Sequence, residues 1–311
     1  MTVPVVDQLV GGTASRSPRP ARALSRAFSR HRGLALTSLL SPAVAWLVLV
    51  YIASLALLVV AAFFRLDGFT GKPTTEFTTD NLEVAFTTWD FVRVVGRSVR
   101  VAVLVTVVCF VIALPVAFFV AKVVRPWARR GLLVALLMPL WAGYLVKGYA
   151  WKALLRPGAE FGVNKDGGFL SSVFGYTPGF GQVAVVLALS YLWLPYMILP
   201  IYAGLERLPA SLLDASSDLG AKPLRTFSSV IIPNLLPSIA AGSIFTFSLS
   251  LGDYITPRIV TEGKFTMIGN LIQSYLLAPN QPLAAAFTLW PLLIIVVYLI
   301  VMKRAGAFDN I

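Results

Sequence analysis

Few residues in this 311-residue chain could do chemistry, and their types narrow what the chemistry is. A single cysteine, Cys109, and a single histidine, His31, leave no Cys/His metal cage and no Ser-His-Asp or Cys-His nucleophile set. Gly71-Lys72-Pro73 and Gly263-Lys264-Phe265 lack both the upstream glycine and the following Ser or Thr of a phosphate-binding loop. What remains is recognition. Asp214 and Asp218, at i and i+4 of a polar stretch, give one helix face an acidic edge suited to docking a protein. Asp253 stands at the end of a long apolar run, where an ionisable group is a functional candidate. A carboxylate beside aromatic rings suits an ammonium group, through charge and cation–π attraction, and Tyr144, Trp151, Trp193 and Tyr254 are the candidate rings. Each aromatic also has a plainer reading as an interface anchor or packing residue, and Asp253 as a helix-end or gate hydrogen bond.

The elements that must position these residues are membrane helices. The chain is 57% hydrophobic and 13% charged, with a mean hydropathy of +0.79, whereas a soluble domain is about 25% charged. A helix crosses a bilayer with about 20 apolar residues, and six runs qualify: 36–64, 98–121, 132–155, 182–202, 234–255 and 283–302. The runs are continuous rather than alternating, which disfavours a membrane barrel and predicts an all-α polytopic fold with six transmembrane helices. Residues 1–33, rich in Ser, Arg, Pro and Gly, read as a disordered basic tail, and 34–311 as the membrane domain. A helix lying at the interface is expected over 81–95.

Net charge of +12 could suggest nucleic acid, but its distribution does not. Arg16, Arg19, Arg22, Arg26, Arg30 and Arg32 precede the first run and read as a topology signal and an anionic-lipid contact. That run begins too late and is too long for a cleaved signal peptide. With the N-terminus inside, fifteen of the 26 basic residues fall in the inner segments. Both termini and the loop at about 204–232 are therefore expected in the cytoplasm.

That loop is more patterned than a connection needs to be. Pro209 suits a first helical turn, Gly220 can take the left-handed conformation that ends a helix, and Pro223 suits the start of a second helix running to Ile232. Leu212, Ala215, Ser216 and Leu219 recur at helical spacing on one side, with Asp214 and Asp218 on another. An acidic face is poorly suited to the anionic cytoplasmic leaflet, so the loop reads as a docking protrusion rather than a lipid-lying connector.

Asp214-Ala215-Ser216, then Gly220, Val230 and Ile232-Pro233, resemble the cytoplasmic signature of permease subunits of bacterial ABC importers. That signature is Glu-Ala-Ala, three residues, Gly, nine residues, Ile, one residue, Leu-Pro. The spacing agrees at each step, and Asp for Glu and Ser for the second Ala leave room for altered coupling strength. The resemblance implies a type I importer permease fold in a bacterial inner membrane. It implies that Asp214, Ala215, Ser216, Asp218, Leu219 and Gly220 couple to a separate ATPase subunit, which binds ATP and magnesium in this chain's stead. It also implies a pair of ATPase copies, a second related permease and an extracytoplasmic solute-binding protein. Glu160, in a loop less like the family pattern, is a candidate contact for that binding protein. Pro139 to Trp151, Tyr191 to Tyr196, Gly252 to Pro257 and Met267 to Leu271 resemble the polyamine (spermidine/putrescine) type. Relatives of that type carry thiamine, ferric iron, opines or phosphonates, so another small solute stays open. An ion-driven secondary transporter would want buried ionisable pairs in several spans and internal repeats, which the sequence lacks.

Overall fold

The computed structural model describes residues 32–155 and 179–304. The expected tail up to residue 31 and Glu160 lie outside them. The chain divides between Leu57 and Leu58 into two units. The first contributes most of helix α1 (Arg32–Ala61), whose apolar run from Leu40 carries Trp46, Leu47 and Leu49 exposed.

The second unit begins with a small hairpin, β1 (Phe64–Leu66) paired antiparallel to β2 (Pro73–Phe77), which sequence reading did not foresee. Its turn is local chemistry: Asp67 accepts from the Phe69 amide at 3.0 Å and the Thr70 hydroxyl at 2.6 Å, and Gly71 takes φ +64°. Helix α2 (Asp80–Thr87) follows, then α3 (Trp89–Phe118), which continues through a π turn over Phe119–Val123. The expected interfacial helix is thus two elements. The second span starts at Trp89 rather than at residue 98, because the buried positions Val95, Ser98, Val101, Ala102 and Val105 keep helical spacing through the charged stretch.

The expected third span is broken. Helix α4 (Pro126–Leu137) runs into a 3-10 turn at Met138–Leu140 and meets α5 (Tyr144–Leu155) at 84°. Pro139 and Gly143 sit at the bend, where the missing amide and the missing side chain both oppose a continuous helix. Helices α6 (Gln182–Arg207) and α7 (Ala210–Asp218) lead to α8 (Pro223–Thr226), a second π turn at Phe227–Ile231 and α9 (Ile232–Gly252). The expected fifth span at 234–255 thus continues a 30-residue helical run from Pro223, with Pro233 in the first turn of α9 just after the π turn. Helices α10 (Ile255–Thr261), α11 (Ile268–Leu277) and α12 (Gln281–Arg304) complete the chain. Five described helices are long and apolar enough to span a membrane, and six if α4 and α5 count as one bent span.

The main core lies between α3, α6 and α9, with Val101, Val105 and Cys109 meeting Leu189, Leu192, Met197, Ile201 and Leu235. Small residues let α6 and α9 approach: a Cβ at Gly204 would collide with the Ser238 side chain, and one at Gly242 would lie 2.8 Å from Met197 Sδ. A second cluster joins α3, α9, α11 and α12 through Phe247, Leu251, Ile268 and Phe287.

Candidate functional site: a docking helix and a polar aromatic cluster

Helix α7 stops as its sequence requires. Gly220 has φ +73°, its amide bonds to the Ser217 carbonyl at 2.8 Å, and the Ala221 amide reaches back to Ser216 at 3.1 Å. These two bonds are the Schellman closure, which satisfies carbonyls the helix would otherwise leave open. No atom lies within 4 Å of a Cβ at Gly220, so backbone conformation rather than space selects glycine there.

The faces of α7 differ from the expected pairing. Leu212, Ala215, Ser216 and Leu219 lie along one stripe, as their spacing requires, but only Ser216 on it is buried. Ser216 is buried and its hydroxyl meets Thr226 Oγ1 at 2.8 Å, bracing α7 on α8, while Leu213 is half-buried against the core. Leu212, Ala215 and Leu219 face outward with Asp214 and Asp218. Leu219 is 88% exposed and Leu224, the second residue of α8, is 83% exposed. The outward surface is thus apolar and acidic together.

The other candidate residues gather at the far end of α9, whose 21 residues, rising about 1.5 Å each, span about 30 Å. Asp253 follows the last residue of α9 and is 7% exposed. Its Oδ1 accepts the amides of Ile255 at 2.9 Å and Thr256 at 3.0 Å, at the start of α10. Its Oδ2 accepts the Thr256 hydroxyl at 2.8 Å and the Tyr144 hydroxyl. A carboxylate has about four acceptor positions, so all are filled and Asp253 is a brace between α5, α9 and α10 in this conformation. The Tyr144 ring lies 6.1 Å from Trp193, which in turn lies 5.7 Å from Tyr196. Trp193 Nε1, Ser190 Oγ and Ser250 Oγ are buried without a partner, orphans that a polar solute or water would satisfy.

Of the five residues expected along a solute path, Tyr144, Trp193 and Asp253 come together. Trp151 packs instead against Tyr191, at 5.7 Å, and the buried Leu155, Ala184, Ala188 and Val260. Tyr254 contributes through its backbone, its carbonyl accepting Asn270 Nδ2 at 2.5 Å. Sequence reading missed the residues that hold the Asp253 turn. A Cβ at Gly269 would lie 2.9 Å from the Gly252 carbonyl, so only glycine lets α11 seat there. Asn270 Oδ1 also accepts the Met267 amide at 3.1 Å, and the buried Ser98 hydroxyl of α3 accepts the Ile268 amide at 2.8 Å. The Met267-Ile268-Gly269-Asn270 run was the available signal, and its work is structural.

Residues 93–306 match the family described as binding-protein-dependent transport system inner membrane component. The chain is 41% identical over 293 residues to the inner membrane ABC transporter permease protein YdcU of Escherichia coli, covering 91% of this chain and 93% of that one. It is 31% identical to the spermidine/putrescine transport system permease protein PotB of Escherichia coli, covering 86% and 96%. It is 30% identical to the molybdenum transport system permease protein ModB of Mycobacterium bovis, covering 68% and 76%. In fold it is similar to a bacterial ABC transporter involved in the import of alginate, with a TM-score of 0.64 at 14% identity, covering 91% of this chain and 99% of that one. The chain belongs to the binding-protein-dependent transport system inner membrane components: it is a permease subunit of an ABC importer, a transport component whose ATPase is a separate subunit.

Proposed function

We propose that this permease carries polyamines such as spermidine and putrescine into a bacterial cytoplasm, and that α7 is the helix through which the ATPase drives it. The observation that carries the substrate assignment is the Tyr144–Asp253–Trp193 cluster: a buried carboxyl joined to aromatic rings at the end of α9 remote from α7. An ammonium group arriving there takes the place of the Tyr144 hydroxyl on Asp253 and gains the faces of Tyr144 and Trp193. The likeness to the spermidine/putrescine permeases, over most of both chains, supports the same reading.

The coupling role rests on the outward face of α7. Burying Leu219 alone against a partner is worth about 1.5–3 kcal/mol, and Asp214 and Asp218 add an acidic edge for register. ATP and magnesium belong to the ATPase pair, a second related permease completes the membrane unit, and lipid surrounds both. α7 and both termini face the cytoplasm, and the binding protein docks opposite. ATP closure of the ATPase pair moves α7, and the helices rock between two access states.

An anionic solute is the second reading, and one observation favours it. Arg93, Arg97 and Arg100 follow one face of the outer part of α3. Among the described residues no acid pairs with them, and Arg97 and Arg93 lie instead 4.9 Å from Phe265 and 5.7 Å from the Trp89 ring. Calorimetry on the cognate binding protein separates the two. Heat with spermidine or putrescine and none with oxyanions supports the proposal, and the reverse result refutes it.

A further inference from the structure

At the root of α7 a second set of polar side chains ties three elements together. Lys122, in the π turn that ends α3, donates from Nζ to the Leu208 carbonyl at 3.0 Å. Leu208 caps α6 and is followed directly by Pro209 and α7. Arg129, in the first turn of α4, donates from Nη2 to the Ala121 carbonyl at 2.7 Å and lies 3.4 Å from Glu206 Oε1 through Nη1. The Tyr202 hydroxyl donates to the same Glu206 oxygen at 2.6 Å.

A cation at a helix C-terminus is favourable because the last carbonyls are unsatisfied and the dipole is negative there. Water could satisfy them equally well at this end of the molecule. The chain instead uses side chains from residues 86 and 77 positions away, so the contacts fix the α3–α4 turn to the base of α7 as well as capping α6. Apart from them α7 is joined to the remaining helices through the Pro209 and Gly220 bends, the Ser216–Thr226 brace and Leu213 against the core. The two backbone bends are where a push on α7 would be lost.

We propose that Lys122 and Arg129 are positioning residues that clamp the base of α7 to the α3–α4 turn, so that displacement of α7 moves α3 together with α6. The inference rests on the coupling role of α7 proposed above. The test uses the whole complex in proteoliposomes, with Lys122→Met, Arg129→Met and Lys122→Arg compared with the unaltered chain. With either Met variant the ATPase co-purifies as before and basal hydrolysis is unchanged. Stimulation of ATPase by loaded binding protein falls about fivefold or more, the size of an ordinary coupling between sites. Lys122→Arg, which still presents a donor to the Leu208 carbonyl, restores stimulation. Unaltered stimulation in both Met variants overturns the proposal, and so does loss of ATPase co-purification, which would make the contacts purely structural. Gly220→Val run in parallel separates the two claims. If it abolishes stimulation while the Met variants do not, the clamp alone fails; if it too leaves stimulation intact, the coupling role of α7 fails with it.

Discussion

Two positions carry most of the account, and each makes a residue-specific demand. At Asp253 an amide can replace the carboxyl with little loss of bonding, because Asn still accepts the Ile255 and Thr256 amides and the two hydroxyls can turn to accept from its NH2. Asp253→Asn is therefore expected to leave the thermal midpoint of the purified complex within a few degrees while lowering spermidine uptake about tenfold or more, the loss that follows when a desolvated charge pair is removed. Unchanged uptake would assign Asp253 to bracing alone. At Gly220 a valine costs about 1–2 kcal/mol of backbone strain at φ +73° with no steric clash. Gly220→Val should thus assemble and retain basal ATPase activity, yet respond poorly to loaded binding protein. The chemistry-bearing residues were the more legible part of the sequence: Gly220, Asp214 and Asp218 stand where their spacing put them. The inward turn of Ser216 was not legible, because serine fits either face of a helix and only its bond to Thr226, ten residues on, selects one.

Among the elements, the long apolar spans could be read from composition, while their breaks and extensions could not. The 84° bend between α4 and α5 lies in a stretch that stays apolar on both sides, so hydropathy alone passes over it. The extension of α3 to Trp89 lies in a charged stretch whose buried face emerges only once α11 is placed against it, through the Ser98–Ile268 bond between residues 170 positions apart. Ser98→Ala leaves the Ile268 amide buried without a partner, which costs about 1–3 kcal/mol and should lower the thermal midpoint without altering the ATPase contact. Gly242→Leu forces a side chain into the 2.8 Å gap against Met197 and should destabilise the α6–α9 pair by about 1–3 kcal/mol or more. Thermal unfolding in detergent, followed by size exclusion, reads both. A stable Gly242→Leu protein would mean that the small residues of α9 line an open path instead of a packed seam.

For the whole molecule, the polar aromatic cluster and the outward face of α7 lie toward opposite ends of the run that includes α9, whose own 21 residues span about 30 Å, close to the thickness of a bilayer's hydrocarbon core. Helices α3, α6 and α9, packed on one core, connect the two ends, which is the arrangement a driven transporter needs. The central claim is that the outward face of α7 meets the ATPase. A photo-cross-linking residue in place of Leu219, 88% exposed, is compared with one in place of Leu213, which packs against the core, in the assembled complex. The account predicts a covalent adduct with the ATPase subunit from position 219 and none from position 213. An adduct with lipid alone from position 219 would contradict it.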